Sequence, residues 1–158
     1  MGNILAGSEI VDIGIQIEKN GRDFYNAVAA QSKNPASADI FRFLASEEEK
    51  HIRVFQDILT KLEKYEPQGL DADEYYAYMN ALAGESVFMQ KDKGREVARK
   101  MKSDKEAIDV GIGAEKDSIL FYEGMKKAVP QYDIKVVDEV IAQEQGHLKQ
   151  LLDLKANL

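Results

Sequence analysis

The sequence predicts an all-α fold, a bundle of four long helices arranged as two helical hairpins joined by a long crossover at about residues 66–103. Apolar residues recur at helical spacing along the chain, and no segment shows the apolar–polar alternation of a half-buried strand. Proline, glycine and capping residues divide this pattern into four long segments. A chain of 158 residues suffices for one core, so we expect residues 1–158 to form a single domain.

The first hairpin begins with a helix at about residues 8–30, and a short link leads to the second helix. Asn34 is a favoured N-cap residue, and Pro35 suits the first helical position because an N–H there would have no helical partner. We expect the second helix to continue to about residue 65, where Pro67 and Gly69 end it. The short link makes the two helices antiparallel.

The crossover contains an aromatic-rich segment, DEYYAYMNAL (73–82), which is predicted to form a short helix that closes at Gly84, followed by a basic stretch. The segment SDKE (103–106) is a capping box that opens the third long helix. Pro130 and Asp133 mark the start of the fourth. The crossover is long enough to return the chain along the whole bundle.

Composition excludes several kinds of site and partner. The chain has no cysteine, so it holds no disulfide, thiolate zinc site or thiolate-bound iron–sulfur cluster. A net charge of −7, from 21 basic and 28 acidic residues, argues against nucleic acid and anionic membranes as partners. The first residues lack a targeting pattern, and no apolar run approaches the roughly 20 residues of a membrane helix. We therefore expect a cytoplasmic protein.

One stripe of the second helix is apolar except at Glu48 and His51. Its members are Phe41, Leu44, Glu48, His51, Phe55, Ile58 and Leu62. An unpaired charge on a core-facing stripe is costly, so both polar residues need partners. A single Glu-x-x-His is also compatible with a surface pair or with a core histidine bonded to a carboxylate.

The fourth helix repeats this layout with the stripe Val137, Val140, Glu144, His147, Leu151 and Leu154. The helical segments that precede the two motifs, residues 12–25 and 109–122, are identical at seven of 14 positions, which indicates an internal duplication. Each segment carries one glutamate, Glu18 or Glu115, on its core-facing stripe. Four carboxylates and two imidazoles are therefore expected to converge in the core.

Such a cluster is not stable as bare charges, because burial and mutual repulsion raise the carboxyl pKa values and weaken the bundle. Two divalent cations would neutralise the four carboxylates. Carboxylate and imidazole ligands together suit iron or manganese, and zinc is also compatible. If the carboxylates serve a metal, replacing Glu144 by Leu should stabilise the metal-free protein, whereas a structural role predicts the reverse.

These residues resemble the diiron-carboxylate motif of the ferritin-like superfamily, in particular its rubrerythrin-like branch without the rubredoxin domain. The motif here comprises Glu18, Glu48-x-x-His51, Glu115 and Glu144-x-x-His147. The resemblance covers the chain outside the crossover and implies a ferritin-like four-helix bundle. It implies that Glu18 and His51 bind one iron ion, that Glu115 and His147 bind the other, and that Glu48 and Glu144 bridge the two.

The resemblance also implies an oxidoreductase that reduces peroxide or dioxygen. Without cysteine, the electrons would come from a separate donor protein, and we expect a homodimer. Rubrerythrins carry a further glutamate three residues after the ligand of the third helix, where this chain has Ser118, so a peroxidase reaction would lack that extra ligand. A ferroxidase or iron-storage protein and a non-catalytic metal-binding bundle are the alternatives.

Residues next to the motif are candidates for supporting roles. Tyr25 and Tyr122 lie two turns beyond the core-facing glutamates of the first and third helices, and would either hydrogen-bond ligand oxygens, supply electrons or pack in the core. Glu47 and Gln143 would accept an imidazole N–H from a facing helix, with a solvated Glu47 as the alternative. Four glycines cost about 1 kcal/mol each in a helix, which predicts close packing or space beside the metals: Gly14, Gly21, Gly111 and Gly113.

Overall fold

The computed structural model describes residues 7–62 and 72–158. Its four long helices are α1 (Gly7–Gln31), α2 (Pro35–Lys61), α5 (Asp104–Met125) and α6 (Gln131–Ala156), and the crossover contains α3 (Ala72–Glu85) and α4 (Gly94–Arg99). The described residues include no strand, which confirms the all-α prediction. Helix α1 packs along α2 and α5 along α6, so the two hairpins are as predicted. None of the described helices is long and apolar enough to span a membrane.

The long helices begin at the predicted capping residues. Asn34 Oδ1 accepts two backbone N–H groups of the first turn of α2, at 2.9 and 3.2 Å, and Pro35 is the first helical residue. Ser103 Oγ accepts the N–H of Glu106 at 3.1 Å. The Glu106 carboxylate accepts the N–H of Lys102 at 2.6 Å instead of that of Ser103, so the capping box is shifted by one residue.

Other boundaries differ from the sequence prediction. Helix α2 ends at Lys61, and the predicted end near residue 65, with Pro67 and Gly69, lies outside the described residues. Helix α3 ends at Glu85, one residue after Gly84, which was predicted to close it, and no other described element lies within 4 Å of the position a Cβ at Gly84 would take. A 3₁₀ turn at Val87–Met89 and helix α4 follow, so much of the rest of the crossover is helical too.

Asn20 of α1 attaches the crossover to the bundle. Its side chain is buried and donates to the carbonyls of Phe88 and Gln90, at 2.7 and 2.5 Å. Its Oδ1 accepts the N–H groups of Lys93 and Gly94, at 2.9 and 3.1 Å. All the hydrogen-bonding capacity of the amide oxygen and nitrogen is thereby used on the crossover backbone. Gly94 lies against α1 itself, because a Cβ there would be only 2.2 Å from the Asn20 carbonyl oxygen.

The core of the bundle consists of two apolar clusters with a polar layer between them. On α2, for example, Phe41 and Leu44 belong to one cluster and Phe55 and Ile58 to the other. The other three long helices change from one cluster to the other in the same way. The layer at the change contains Glu18, Glu48, His51, Glu115, Glu144 and His147, all of them buried. The duplication thus places its polar residues at one level of the bundle.

Candidate metal centre

The six predicted ligands come together in the polar layer as two overlapping groups. The first group contains Glu18, Glu48, His51 and Glu144, and the second contains Glu48, Glu115, Glu144 and His147. Within each group, one potential ligand atom from every residue lies within 4.8 Å of the others. Glu48 and Glu144 belong to both groups, whereas each of the other residues belongs to one. This is the spatial arrangement of two adjacent cation sites that share two carboxylates.

His51 is held by α6. Its Nδ1 lies 2.8 Å from Glu144 Oε1 and 3.4 Å from Glu18 Oε1, so this nitrogen faces the carboxylates. Its Nε2 donates to Gln143 Oε1 at 2.6 Å. The expectation that Gln143 supports an imidazole of the facing helix is therefore confirmed. With an N–H fixed at Nε2, Nδ1 is the nitrogen that would bind a cation after losing its own proton.

His147 has the corresponding position on α6, with one difference. Its Nδ1 lies 3.2 Å from Glu144 Oε2 and 3.6 Å from Glu48 Oε1. Its Nε2 is 3.9 Å from Glu47 Oε1, which is beyond hydrogen-bonding distance. Glu47 is partly exposed and pairs with Lys50 at 2.9 Å, in agreement with the solvated alternative. The two imidazoles, with ring centroids 5.8 Å apart, therefore differ in what holds their outer nitrogen.

The two tyrosines connect the repeats crosswise. Tyr25 of α1 donates to Glu115 of α5 at 2.8 Å, and Tyr122 of α5 donates to Glu18 of α1 at 2.7 Å. Burial and the neighbouring carboxylates raise the pKa of both tyrosines well above the usual range, so both stay protonated donors. Each hydroxyl fixes the carboxylate of the other repeat, a pairing that helical spacing within one helix does not predict.

Within the polar layer, three buried carboxylate oxygens have no hydrogen-bond partner: Glu18 Oε2, Glu48 Oε1 and Glu115 Oε2. Buried polar atoms are rarely left without a partner, and carboxylate oxygens are hard ligands for divalent cations. Together with the two Nδ1 atoms and the shared Glu144, these oxygens fit a pair of metal ions. A purely structural network would leave them unsatisfied.

The sequence of this chain has recognisable relatives. Residues 9–155 match the sequence profile of the family described as Rubrerythrin. The chain belongs to the rubrerythrin family. Among solved structures it is similar to a Thermotoga maritima protein, provisionally described as a ferritin-like diiron-carboxylate protein, with 25% identity, 99% of this chain and 98% of that chain covered, and a TM-score of 0.70. A comparison with curated proteins finds no match.

Without metal, the four carboxyls of this rubrerythrin-family site differ in how readily they ionise. Burial raises the pKa values of Glu18, Glu48 and Glu115, and the charge of Glu144 raises them further. Burial also opposes ionisation of Glu144, but the neighbouring Glu115 carboxyl and both histidines hold its pKa well below the usual range. Burial disfavours protonated His51, yet Glu18 and Glu144 raise its pKa to about 11. Glu144 is therefore the carboxyl of the cluster that ionises most readily without metal, and the other three hold their protons more strongly than an ordinary glutamate does.

Small residues make room for the cluster. A Cβ at Gly21 would lie 2.8 Å from Glu48 Oε2, and one at Gly111 would lie 3.2 Å from the Tyr25 hydroxyl. Gly14 is equally close-packed, against Met125. Gly113 is exposed with no atom of another element within 4 Å, so the close-packing prediction is wrong there.

Two further residues complete the surroundings of the site. Ser118, at the place of the extra glutamate of rubrerythrins, donates to the Ala114 carbonyl at 2.8 Å and so satisfies its hydroxyl within its own helix. Phe43 was not predicted from the sequence, and its ring edge packs on His147 at a centroid distance of 6.2 Å. Its position beside the apolar stripe of α2 was the available signal, since Phe43 and Glu47 are one turn apart.

Proposed function

We propose that the six residues bind two metal ions, iron in the simplest case, and that the protein is an oxidoreductase that reduces peroxide or dioxygen with an external electron donor. Manganese and zinc are compatible with the same ligands. The main support is the set of three unpartnered carboxylate oxygens inside two overlapping ligand groups. Membership of the rubrerythrin family supports the redox chemistry.

In this proposal Glu18 and His51 serve one ion, Glu115 and His147 serve the other, and Glu48 and Glu144 are shared. Bound iron would supply the one-electron steps that reduction of peroxide or dioxygen requires. Each ion would then have one imidazole, one glutamate of its own and two shared carboxylates, and the four carboxylates would balance the charge of two divalent cations.

The surrounding residues prepare the ligands. Tyr25 and Tyr122 hold the carboxylates of Glu115 and Glu18 in one orientation, and Gln143 fixes the tautomer of His51. The apolar clusters above and below the layer exclude bulk water, which strengthens every electrostatic interaction inside. Metal binding must displace protons from His51 and from the carboxyls of raised pKa, so metal affinity should rise with pH.

Electrons must come from outside these 158 residues, because they contain no cysteine that would hold a thiolate iron centre. We propose a separate donor protein as the reductant and a homodimer as the working form. Sedimentation or size-exclusion mass tests the second statement. A large cage that accumulates many iron ions per chain would instead indicate iron storage.

Oxidation of Fe(II) is the second candidate reaction, and Ser118 favours it. A peroxidase that depends on an additional carboxylate at this position would need a ligand that the Ser118 hydroxyl, bonded to Ala114, does not offer. The six-residue cluster itself is common to both reactions. Peroxide and iron turnover therefore have to be measured side by side.

The proposal is tested on protein purified anaerobically. Iron analysis and visible absorption after addition of peroxide should reveal a redox-active site, and continued consumption of peroxide should require an added reductant. His51→Ala should abolish the spectral change, whereas Arg53→Ala, an exposed residue on the same helix, should leave it unchanged. A wild-type protein that binds iron but gives no change with peroxide, dioxygen or excess Fe(II) would support the non-catalytic alternative.

A further inference from the structure

A groove opens on the surface between α2 and α6, at the side of the polar layer. Its volume is about 340 Å³, and its lining residues are Phe43, Glu47, Gln143, Gly146, His147 and Gln150. Four of the six form one row on α6, residues 143, 146, 147 and 150, in which His147 is buried and the other three are exposed. The groove thus follows the contact between the two helices that carry the Glu-x-x-His motifs.

The imidazoles form the boundary between the groove and the buried carboxylates. His147 lines the groove, and its Nε2 lies 3.9 Å from Glu47 Oε1. His51 lies beneath Gln143, whose Oε1 accepts its Nε2–H at 2.6 Å. The carboxylates of Glu18, Glu115 and Glu144 are buried below this level. A cation in the groove is therefore one imidazole ring away from the ligand cluster.

The crossover covers the opposite side of the bundle, along α1 and α5. Helix α4 and the 3₁₀ turn at Val87–Met89 pack on α1, and α3 packs on α5, so the crossover lies over the first helix of each hairpin. Apolar clusters close the layer from above and below. Among the described residues, no crossover element packs on α2 or α6 as closely as these do on α1 and α5, so the side between α2 and α6 is left open.

We propose that this groove is the route by which a hydrated divalent metal ion reaches the six-residue site, and that Glu47 is the first carboxylate it meets. This inference rests on the proposed metal-binding function. Glu47, Gln143 and Gln150 offer side-chain oxygens, which are the ligands that hydrated divalent cations accept before losing water. Lys50 pairs with Glu47 at the surface, but its side chain is 71% exposed and free to move away.

Two glycines provide a matched pair of variants. Gly146 lines the groove, and neither Gly146 nor Gly113 has a neighbouring atom within 4 Å of the position of a Cβ. Both are exposed in the middle of a long helix, so Leu gains helix propensity at either position without a clash. Gly146→Leu fills the groove, whereas Gly113→Leu adds the same side chain to α5, outside the groove.

The experiment mixes metal-free protein with Co²⁺ in a stopped-flow spectrometer and follows visible absorption, with dissociation measured after addition of excess chelator. Gly146→Leu should lower the association and dissociation rate constants together by about tenfold, because a filled groove obstructs passage in both directions. Kd and the stoichiometry should stay close to the wild-type values. Gly113→Leu should match the wild type in both rate constants.

Equal rates in Gly146→Leu and Gly113→Leu would overturn the route while leaving the metal site intact. Failure of the wild type to bind Co²⁺ would overturn the proposed function and the route with it. Glu47→Gln tests the route without added bulk: association should slow several-fold at low ionic strength, with a weaker salt dependence, because steering by the carboxylate is lost. An unchanged association rate and salt dependence would remove Glu47 from the route.

Discussion

Two substitutions of equivalent glutamates should change the stability of the metal-free protein in opposite directions. Glu48 and Glu144 occupy matching positions of the duplicated motif and are both buried. Glu48 has one oxygen without a partner and a pKa raised by burial, so its ionisation is disfavoured and the carboxyl is poorly satisfied. Glu144 is ionised and bonds to both His51 and His147. Leu is similar in size to both and can join the apolar stripes.

The magnitudes follow from these environments. Glu48→Leu removes an unsatisfied buried polar group, a feature that costs about 1–3 kcal/mol, so the free energy of unfolding should stay the same or increase. Glu144→Leu leaves protonated His51 without its ion-pair partner, and breaking a buried pair costs about 3–5 kcal/mol. A domain of this size changes its Tm by about 2–4 °C per kcal/mol. The metal-free Tm of Glu144→Leu should therefore be lower by at least about 6 °C.

Circular dichroism during thermal unfolding in the presence of a chelator measures this difference. Glu139→Leu, on the exposed side of α6, controls for the exchange of Glu for Leu. In excess metal the wild type should gain about 4 kcal/mol at a thousandfold excess over Kd, and both buried variants should lose most of that gain. If Glu48→Leu destabilises the metal-free protein as much as Glu144→Leu does, the carboxylates form one structural network and the argument for a metal site fails.

Raising the pH should destabilise the metal-free protein, because the folded pKa of His51, about 11, exceeds its ordinary value of 6.5. The protonated His51 contributes its full stability at a pH below its ordinary pKa, and this contribution declines as the pH rises towards its folded pKa. Tm in chelator should therefore fall between about pH 7 and pH 9, and a flat profile would contradict the ion pair. Tyr25→Phe should weaken metal affinity about tenfold in calorimetric titrations by freeing the Glu115 carboxylate, whereas unchanged affinity would leave Tyr25 a packing residue. Asn20→Ala should lower the free energy of unfolding by about 3 kcal/mol or more and expose the crossover to proteases, since four backbone groups lose their partner; equal protease resistance would refute this role.

Much of the candidate site follows from helical phase, which is a local property. The stripes of the long helices place Glu48, His51, Glu144 and His147 on core-facing sides, and the duplication extends the argument to α1 and α5. The structure brings these residues together as the phase predicts. When four helices each bury one such stripe in a common core, their polar residues are brought together in one layer.

Interactions between helices were less predictable. The sequence singles out Glu144 as the position where Leu would stabilise the metal-free protein, but Glu144 is the carboxylate that both histidines contact, so the structure transfers that expectation to Glu48. Tyr25 reaches Glu115 on another helix, which depends on how the hairpins are packed. In the sequence, Asn20 has the pattern of an ordinary polar helix residue. Its hydrogen bonds to the crossover can be predicted only when the fold of that segment, about 70 residues away, is known.

Anaerobic titration of the metal-free protein with Fe(II), followed by calorimetry, tests the central claim most directly. The two overlapping ligand groups predict saturation at two ions per chain. Glu144→Leu removes a carboxylate common to both groups, so it should lose binding of both ions, while Glu139→Leu should bind as the wild type does. A wild-type protein that binds less than one ion per chain, or a Glu144→Leu variant that still binds both ions, would contradict the dinuclear site.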